Sequence, residues 1–306
     1  MYKSEGGYTM TFREKLEQAW ELNNSLLCVG LDTDVRSLPL HLRDRPEHVA
    51  VRQFNESMVR ACAPYCSAFK LQFAFYLESL LTQAIIDTIA FIRQHYPNHV
   101  VIVDAKWGDV ANTAKAYHRF GSDILNYDAV TLFPNTGKQS MGVFFEDPNR
   151  GAIFVCRTSN PGADELQDLP VCRGYRSGAS PNTEPYWLVM GKHISTKWNN
   201  LGNVGLVIGA TCPDELQQIR AVVGDDMYLL NPGIGKQAEE AGAQNPVQLA
   251  VKAGQNSQGT GMIINSSRGI IFASSGEDYA EAAGEKAQTL NEEINRFRIQ
   301  PEGVGA

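Results

Sequence analysis

The feature that most constrains this chain is a rhythm of eight short apolar runs: LLCVGL (26–31), SAFKL (67–71), VVIVD (100–104), DAVTLF (128–133), AIFVC (152–156), VGLVIG (204–209), MYLLN (227–231) and GMIIN (261–265). Each is hydrophobic almost without interruption, where a strand with one wet face would alternate. Such runs suit strands covered on both faces, as in a parallel sheet. Segments of helical period lie between them. YLESLLTQAIIDTIAFIRQHY (76–96) sets Leu77, Leu80, Leu81, Ala84 and Ile85 along one side, and EKAQTLNEEINRF (285–297) does the same with Ala287, Leu290, Ile294 and Phe297. Further helices are predicted near 48–62, 112–126, 137–146, 184–200, 213–223 and 236–254, with an opening helix after Met10. Strand then helix, eight times, predicts an α/β fold: a single-domain (β/α)8 TIM barrel over residues 10–300. A doubly wound open sheet competes with it, but no G-x-G-x-x-G opens the first βα turn.

Two segments fall outside this rhythm. Residues 1–9, MYKSEGGYT, read as a disordered N-terminal extension. ADELQDLPVCRGYRSGASPNTEP (163–185) is too long and polar for a routine βα loop, so it is expected to be either a mobile lid or a decorated insertion.

Charge and composition remove several classes of function. A formal net charge of −7 leaves no basic excess to neutralise a phosphate backbone, so no nucleic-acid partner is expected. No apolar run approaches the roughly 20 residues of a membrane span, and MYKSEGGYTM does not resemble a signal peptide. The chain reads as cytoplasmic, with no membrane partner. Its six cysteines show no C-x-x-C pair, and most read as core residues of a reduced compartment. Cys62 and Cys66, four apart in a predicted helix, would share a face there, so a metal half-site is the alternative to packing.

The catalytic groups of such a barrel sit where its strands end. Polar residues at those positions are Asp32, Lys70, Asp104 with Lys106, Asn135, Ser159, Thr211, Pro232 to Gln237, and Ser266 to Arg268. Period-two geometry points Asp104 and Lys106 to one side of their strand. Alone, that pair could be a structural ion pair and Asp109 a helix N-cap. Lys70 on the neighbouring strand argues for more, because several charges converging in a buried mouth are costly unless all are paired. NPGIGKQ (231–237) and Arg268 of NSSRG (265–269) read as a phosphate site, with glycines that let N–H groups approach an anion and a forked guanidinium. The plainer reading is a turn and a surface charge. SNPG (159–162) is a turn with an exposed hydroxyl.

DAKWGDVANT (104–113) resembles the Asp-x-Lys-x-x-Asp-(Ile/Val)-x-x-Thr signature of the orotidine 5′-phosphate decarboxylase family. LDTD, FKLQFAFY, SNPG, PGIGKQ and SSRG follow that family's order across about residues 20–275. The pattern is similar to its longer branch, with Leu71 where that branch carries Pro. The resemblance implies loss of CO2 from C6 of the orotate ring to give uridine 5′-phosphate, a step of pyrimidine biosynthesis that uses no cofactor and no metal. It implies a catalytic tetrad of Lys70, Asp104, Lys106 and Asp109, with Lys106 protonating C6. Asp109 and Thr113 would cross a homodimer interface into the partner's site. Asp32 and the neighbour's Thr113 would hold ribose hydroxyls, Ser159 the pyrimidine edge, Gln237 base and phosphate, and Arg268 the phosphate. Ser267 departs from the Gly that precedes this Arg in the shorter branch. Two alternatives remain open: a magnesium-dependent sugar-phosphate decarboxylase, which would carry a further acidic ligand at a strand end such as that of Lys70, and a non-catalytic nucleotide-binding homologue, which would have lost a tetrad residue.

Overall fold

The computed structural model describes residues 9–172, 183–234 and 245–299. Within them, all eight apolar runs form strands of one closed parallel barrel. The strands are β1 (Leu27–Gly30), β2 (Ala68–Gln72), β3 (Val100–Trp107), β4 (Ala129–Leu132), β5 (Gly151–Arg157), β8 (Val204–Ile208), β9 (Tyr228–Pro232) and β10 (Met262–Ser266), with β6 (Pro170–Cys172) and β7 (Thr183–Pro185) set apart from them. They pair in chain order, and β10 closes on β1 through Leu27 opposite Ile264. Their apolar residues are buried on both faces, which is why the runs do not alternate. A single apolar cluster runs from Phe12 to Ile294.

The bottom of the barrel, at the strand N-termini, is closed by the Phe12–Asn23 helix. Thr11 and Glu14 start that helix as a reciprocal capping box, and left-handed Asn24 ends it. Phe12 packs edge-on to Tyr228, and Lys15 donates to Asp128 at 2.7 Å. Asp128, buried just before β4, also accepts from Arg93 and from the Val101 N–H, each at 2.7 Å. Burial opposes its charge, but Arg93 and Lys15 hold its carboxyl below the usual range.

Several elements differ from expectation, each for a local reason. The helix predicted over 76–96 is two, Phe73–Glu78 and Thr82–His95. Leu80 adopts φ 53 and is 90% exposed, while the Leu81 N–H reaches the Tyr76 carbonyl at 2.7 Å and the Leu80 N–H that of Leu77 at 3.1 Å. This is a Schellman stop without its usual glycine, closed by buried Tyr76 and Leu81. The 112–126 helix is α-helical over Ala111–Arg119 and widens to a π-turn over Phe120–Leu125. Lys138–Met141 continues as a 3-10 turn, and the last helix extends over Tyr279–Phe297. The helix expected over 236–254 is described as Pro246–Gly254.

The expectation of a shared helical face for Cys62 and Cys66 fails. The Glu47–Cys62 helix ends at the first, and the second is extended beyond a 3-10 turn. Both are buried, and burial pushes the Cys62 thiol up to about 12, as suits packing. In the 163–185 segment, Asp164–Gln167 forms a turn of helix and β6 pairs antiparallel with β7. Residues 173–182 of it, and residues 1–8 of the expected N-terminal extension, lie outside the described residues. No described helix is long and apolar enough to cross a membrane.

Candidate active site

A cavity of about 330 Å³ opens at the C-terminal ends of the barrel strands. Asp32, Lys70, Gln72, Asp104, Lys106 and Thr131 form one wall, Thr158 to Asn160 a second, and Pro232 to Ile234 with Asn265 and Ser267 to Gly269 a third; Val207 and Leu230 lie deeper.

The charged wall is built from two neighbouring strands. β2 delivers Lys70, only 3% exposed, between Asp32 at 3.2 Å and Asp104 at 3.0 Å. Asp104 ends the regular part of β3 and has four side-chain partners. Its Oδ1 accepts from Lys106 Nζ at 2.6 Å and Thr131 Oγ1 at 2.7 Å, and its Oδ2 contacts Lys70 and accepts from Gln72 Nε2 at 3.2 Å. Burial alone would favour neutral forms. For Lys70 the neighbouring Asp104 and Asp32 outweigh it and raise the pKa above the ordinary lysine value; for Asp104, Lys70 and Lys106 hold the carboxyl well below the carboxylate range. At neutral pH Lys70 and Asp104 are therefore both ionised.

Asp104 and Lys106 meet as expected, but not through regular alternation. The β3–β4 register shifts between Val103 and Trp107, and Lys106 lies in the left-handed region at φ 51. That conformation costs about 1–3 kcal/mol for a non-glycine residue. Thr131 Oγ1 accepts the Lys106 N–H at 3.0 Å, and Trp107 packs against Phe73 and stacks on Tyr117, so the surroundings hold the bend. The Lys106 side chain keeps 37% of its surface and faces the cavity, whereas Lys70 is enclosed.

Asp109 and Thr113 do not line this cavity. Asp109 Oδ1 accepts the N–H of Val110, and Val110, not Asp109, occupies the N-cap of the Ala111–Arg119 helix. Thr113 is exposed on that helix. Exposed Val110, Tyr117 and Phe133 belong to the same part of the surface, with Gly108 fitted closely against Phe133.

On the third wall, Gly233 turns at φ 101, which favours glycine, and Arg268 follows β10. Asn265 Nδ2 donates to Ser267 Oγ at 3.2 Å, and a Cβ on Gly30 would overlap that hydroxyl. Ser267 thus occupies space that a side chain on β1 would otherwise take. Ser159 lines the second wall, whereas Asn135 and Thr211 do not line the cavity. Gly235 and Gln237 lie outside the described residues.

A family model described as "Orotidine 5'-phosphate decarboxylase / HUMPS family" matches residues 25–283. The chain belongs to that family. A relative named orotidine 5′-phosphate decarboxylase, from Bordetella avium (strain 197N), is 42% identical over 289 residues, which is 94% of this chain and all of the relative. Among solved structures, Leishmania donovani OMP decarboxylase superposes with a TM-score of 0.74 at 29% identity, covering 94% of this chain and 99% of that one. Leishmania donovani UMP synthase gives a TM-score of 0.77 at 31% identity; there the match covers 95% of this chain but 57% of the longer protein.

For a decarboxylase-family barrel, the sequence reading missed the neutral residues that complete the site. Gln72 follows Lys70 by two and shares its side of β2, so alternation could have found it. Thr131 and Asn265 are single polar residues inside apolar runs, and only the barrel's inward geometry separates such a residue from a buried structural one.

Proposed function

We propose that this chain decarboxylates orotidine 5′-phosphate to uridine 5′-phosphate without cofactor or metal, through the charge network of its own strands and one carboxylate from a partner. The observation that carries this reading is the alternating line Asp32–Lys70–Asp104–Lys106, which shares one cavity with Arg268. A nucleotide lying across that cavity would set its phosphate by Arg268 and its pyrimidine ring against the charges. Asp32 would meet ribose hydroxyls and Ser159 the pyrimidine edge, both from the cavity lining, while the family resemblance assigns base and phosphate to Gln237, outside the described residues.

The chemical difficulty is that the C6–CO2 bond leaves its electron pair in the ring plane, where the ring cannot delocalise it. Lys106 is the group suited to stabilise that charge. It is fixed through Asp104, yet its ammonium reaches the cavity. As CO2 departs, the pair left on C6 takes a proton from Lys106 Nζ. Asp104 cannot readily accept that proton, because its four partners favour the carboxylate. Phosphate contacts remote from C6 supply binding energy that holds the ring against the charges.

Asp109 completes the tetrad from across a homodimer, together with Thr113. Two facts support this: both lie outside their own cavity, and the surface around them carries exposed Val110, Tyr117 and Phe133. The cysteines are free, as suits a cytoplasmic enzyme. A magnesium-dependent sugar-phosphate decarboxylase finds less support, because the strand end where a further acidic ligand is expected carries Lys70.

The test is ultraviolet absorbance of orotidine 5′-phosphate with purified protein in chelator. Sustained loss of the substrate spectrum at an unchanged rate is expected; no turnover, or turnover that chelator stops, contradicts the proposal.

A further inference from the structure

The 163–185 insertion begins with residues that turn back toward the pocket. β5 ends at Arg157, where its pairing with β8 shifts register, and Arg157 is 8% exposed. Its Nη2 contacts Asp168 Oδ2 at 3.1 Å and Glu215 Oε1 at 3.5 Å, one carboxylate from the insertion and one from the Pro213–Val223 helix. Its Nη1 reaches the Thr158 carbonyl and Gln167 Oε1, both at 3.4 Å. Gln167 then uses both ends of its amide on the next residue. Oε1 accepts the Thr158 N–H at 2.9 Å, and Nε2 donates to Thr158 Oγ1 at 2.9 Å.

The opposite flank is held as closely. The Gly209 N–H donates to the Arg157 carbonyl at 2.9 Å, and a Cβ on Gly209 would come within 2.8 Å of Ser159 Cβ and 3.1 Å of its nitrogen. Thr158 and Ser159 are therefore gripped between the insertion and the exit of β8, and both line the cavity with Asn160.

We propose that Gln167, directly on Thr158, and Asp168, through Arg157, are positioning residues that brace the pyrimidine wall of the site, so the insertion governs recognition of the base and not of the phosphate. This rests on the reading of the cavity as an orotidine 5′-phosphate site. The physical case is one of division. Every contact of the brace converges on Thr158 and Arg157, while Gly233 and Arg268 stand on another wall and share none of them. A misplacement of about 1 Å in such a wall can cost as much as a hundred-fold in rate. The fork of Arg157 spans acceptors on three elements, a geometry that an ammonium cannot reproduce.

The experiment compares wild type, Gln167→Ala, Gln167→Glu and Asp168→Asn. It measures KM and kcat for orotidine 5′-phosphate and the Kd of two ligands: uridine 5′-phosphate, and ribose 5-phosphate, which lacks the base. Gln167→Ala is expected to raise KM and the uridine 5′-phosphate Kd about ten-fold, with ribose 5-phosphate unchanged. Gln167→Glu, whose carboxylate can accept from the Thr158 N–H, the Thr158 hydroxyl and Arg157, is expected to recover most of that loss. Asp168 is 41% exposed, so Asp168→Asn provides a folded variant if Gln167→Ala is unstable; about a three-fold loss of the same selectivity is expected. Equal weakening of both ligands, or no change in either, overturns the brace. Wild-type protein that neither turns over orotidine 5′-phosphate nor binds uridine 5′-phosphate overturns the site reading, and the brace with it.

Discussion

Two buried aspartates, one at each end of the barrel, show how similar electrostatics can serve different ends. Asp128 at the bottom and Asp104 at the top each contact two cations, and each carboxyl is held below its usual range against the cost of burial. At the bottom the set is closed. Lys15, Arg93 and the Val101 N–H come from elements packed around β4, and none of these groups lines the cavity. At the top the set is open: Lys70 is enclosed, but Lys106 remains partly solvated and faces the cavity. A closed set stabilises the fold. An open set leaves one charged donor able to act on a third party.

The sharpest way to break the comparison is to remove the open donor. Lys106→Ala should lower kcat on the order of ten-thousand-fold while thermal stability changes little, because the group removed is the solvated one. Mixing that variant with Asp109→Asn should restore activity if subunits exchange, since some hybrid sites carry neither lesion; no recovery despite proven exchange would count against a shared site.

Asp128→Asn should do the reverse. Leaving Lys15 and Arg93 without their carboxylate is expected to cost about 3–5 kcal/mol in unfolding free energy, with kcat of the folded protein nearly unchanged. The same variant separates the two aspartates in acid. A carboxyl whose folded pKa is depressed contributes stability that is present above its unfolded value, about 3.9, and is lost as pH falls through the folded one. Denaturant unfolding between pH 6 and pH 3 should therefore show a shallower loss in Asp128→Asn than in wild type. An identical slope would mean that Asp128 is not linked to acid stability.

The smallest effect concerns the third wall. Gly30→Ala should raise KM roughly ten-fold by displacing the Ser267 hydroxyl, and adding Ser267→Gly should recover most of it. Failure of the second change to help would show that the first acts elsewhere.

Much of this architecture is legible in the chain, and the exceptions share a cause. Continuous apolar runs marked every barrel strand because burial on both faces leaves no place for alternation. Charges at the strand ends marked Lys70, Asp104 and Lys106 because ionised side chains seldom sit there without partners. What the pattern could not show was backbone that departs from its period: Leu80 and Lys106 both turn left-handed without a glycine to signal it. Nor could it separate Thr131 or Asn265 from ordinary buried polar residues. Gln167 was invisible for a further reason, since its role depends on a loop folding back ten residues onto Arg157.

The pin between Lys15 and Asp128 joins residues 113 positions apart, and that distance has a consequence for synthesis. The Phe12–Asn23 helix leaves the ribosome well before Tyr228, with its capping signals already present. Its apolar face, Phe12, Leu16, Ala19 and Trp20, must wait for partners as late as Tyr228. Until those partners are made that face is incompletely covered, so the helix at the barrel floor is also an adhesive surface on the nascent chain.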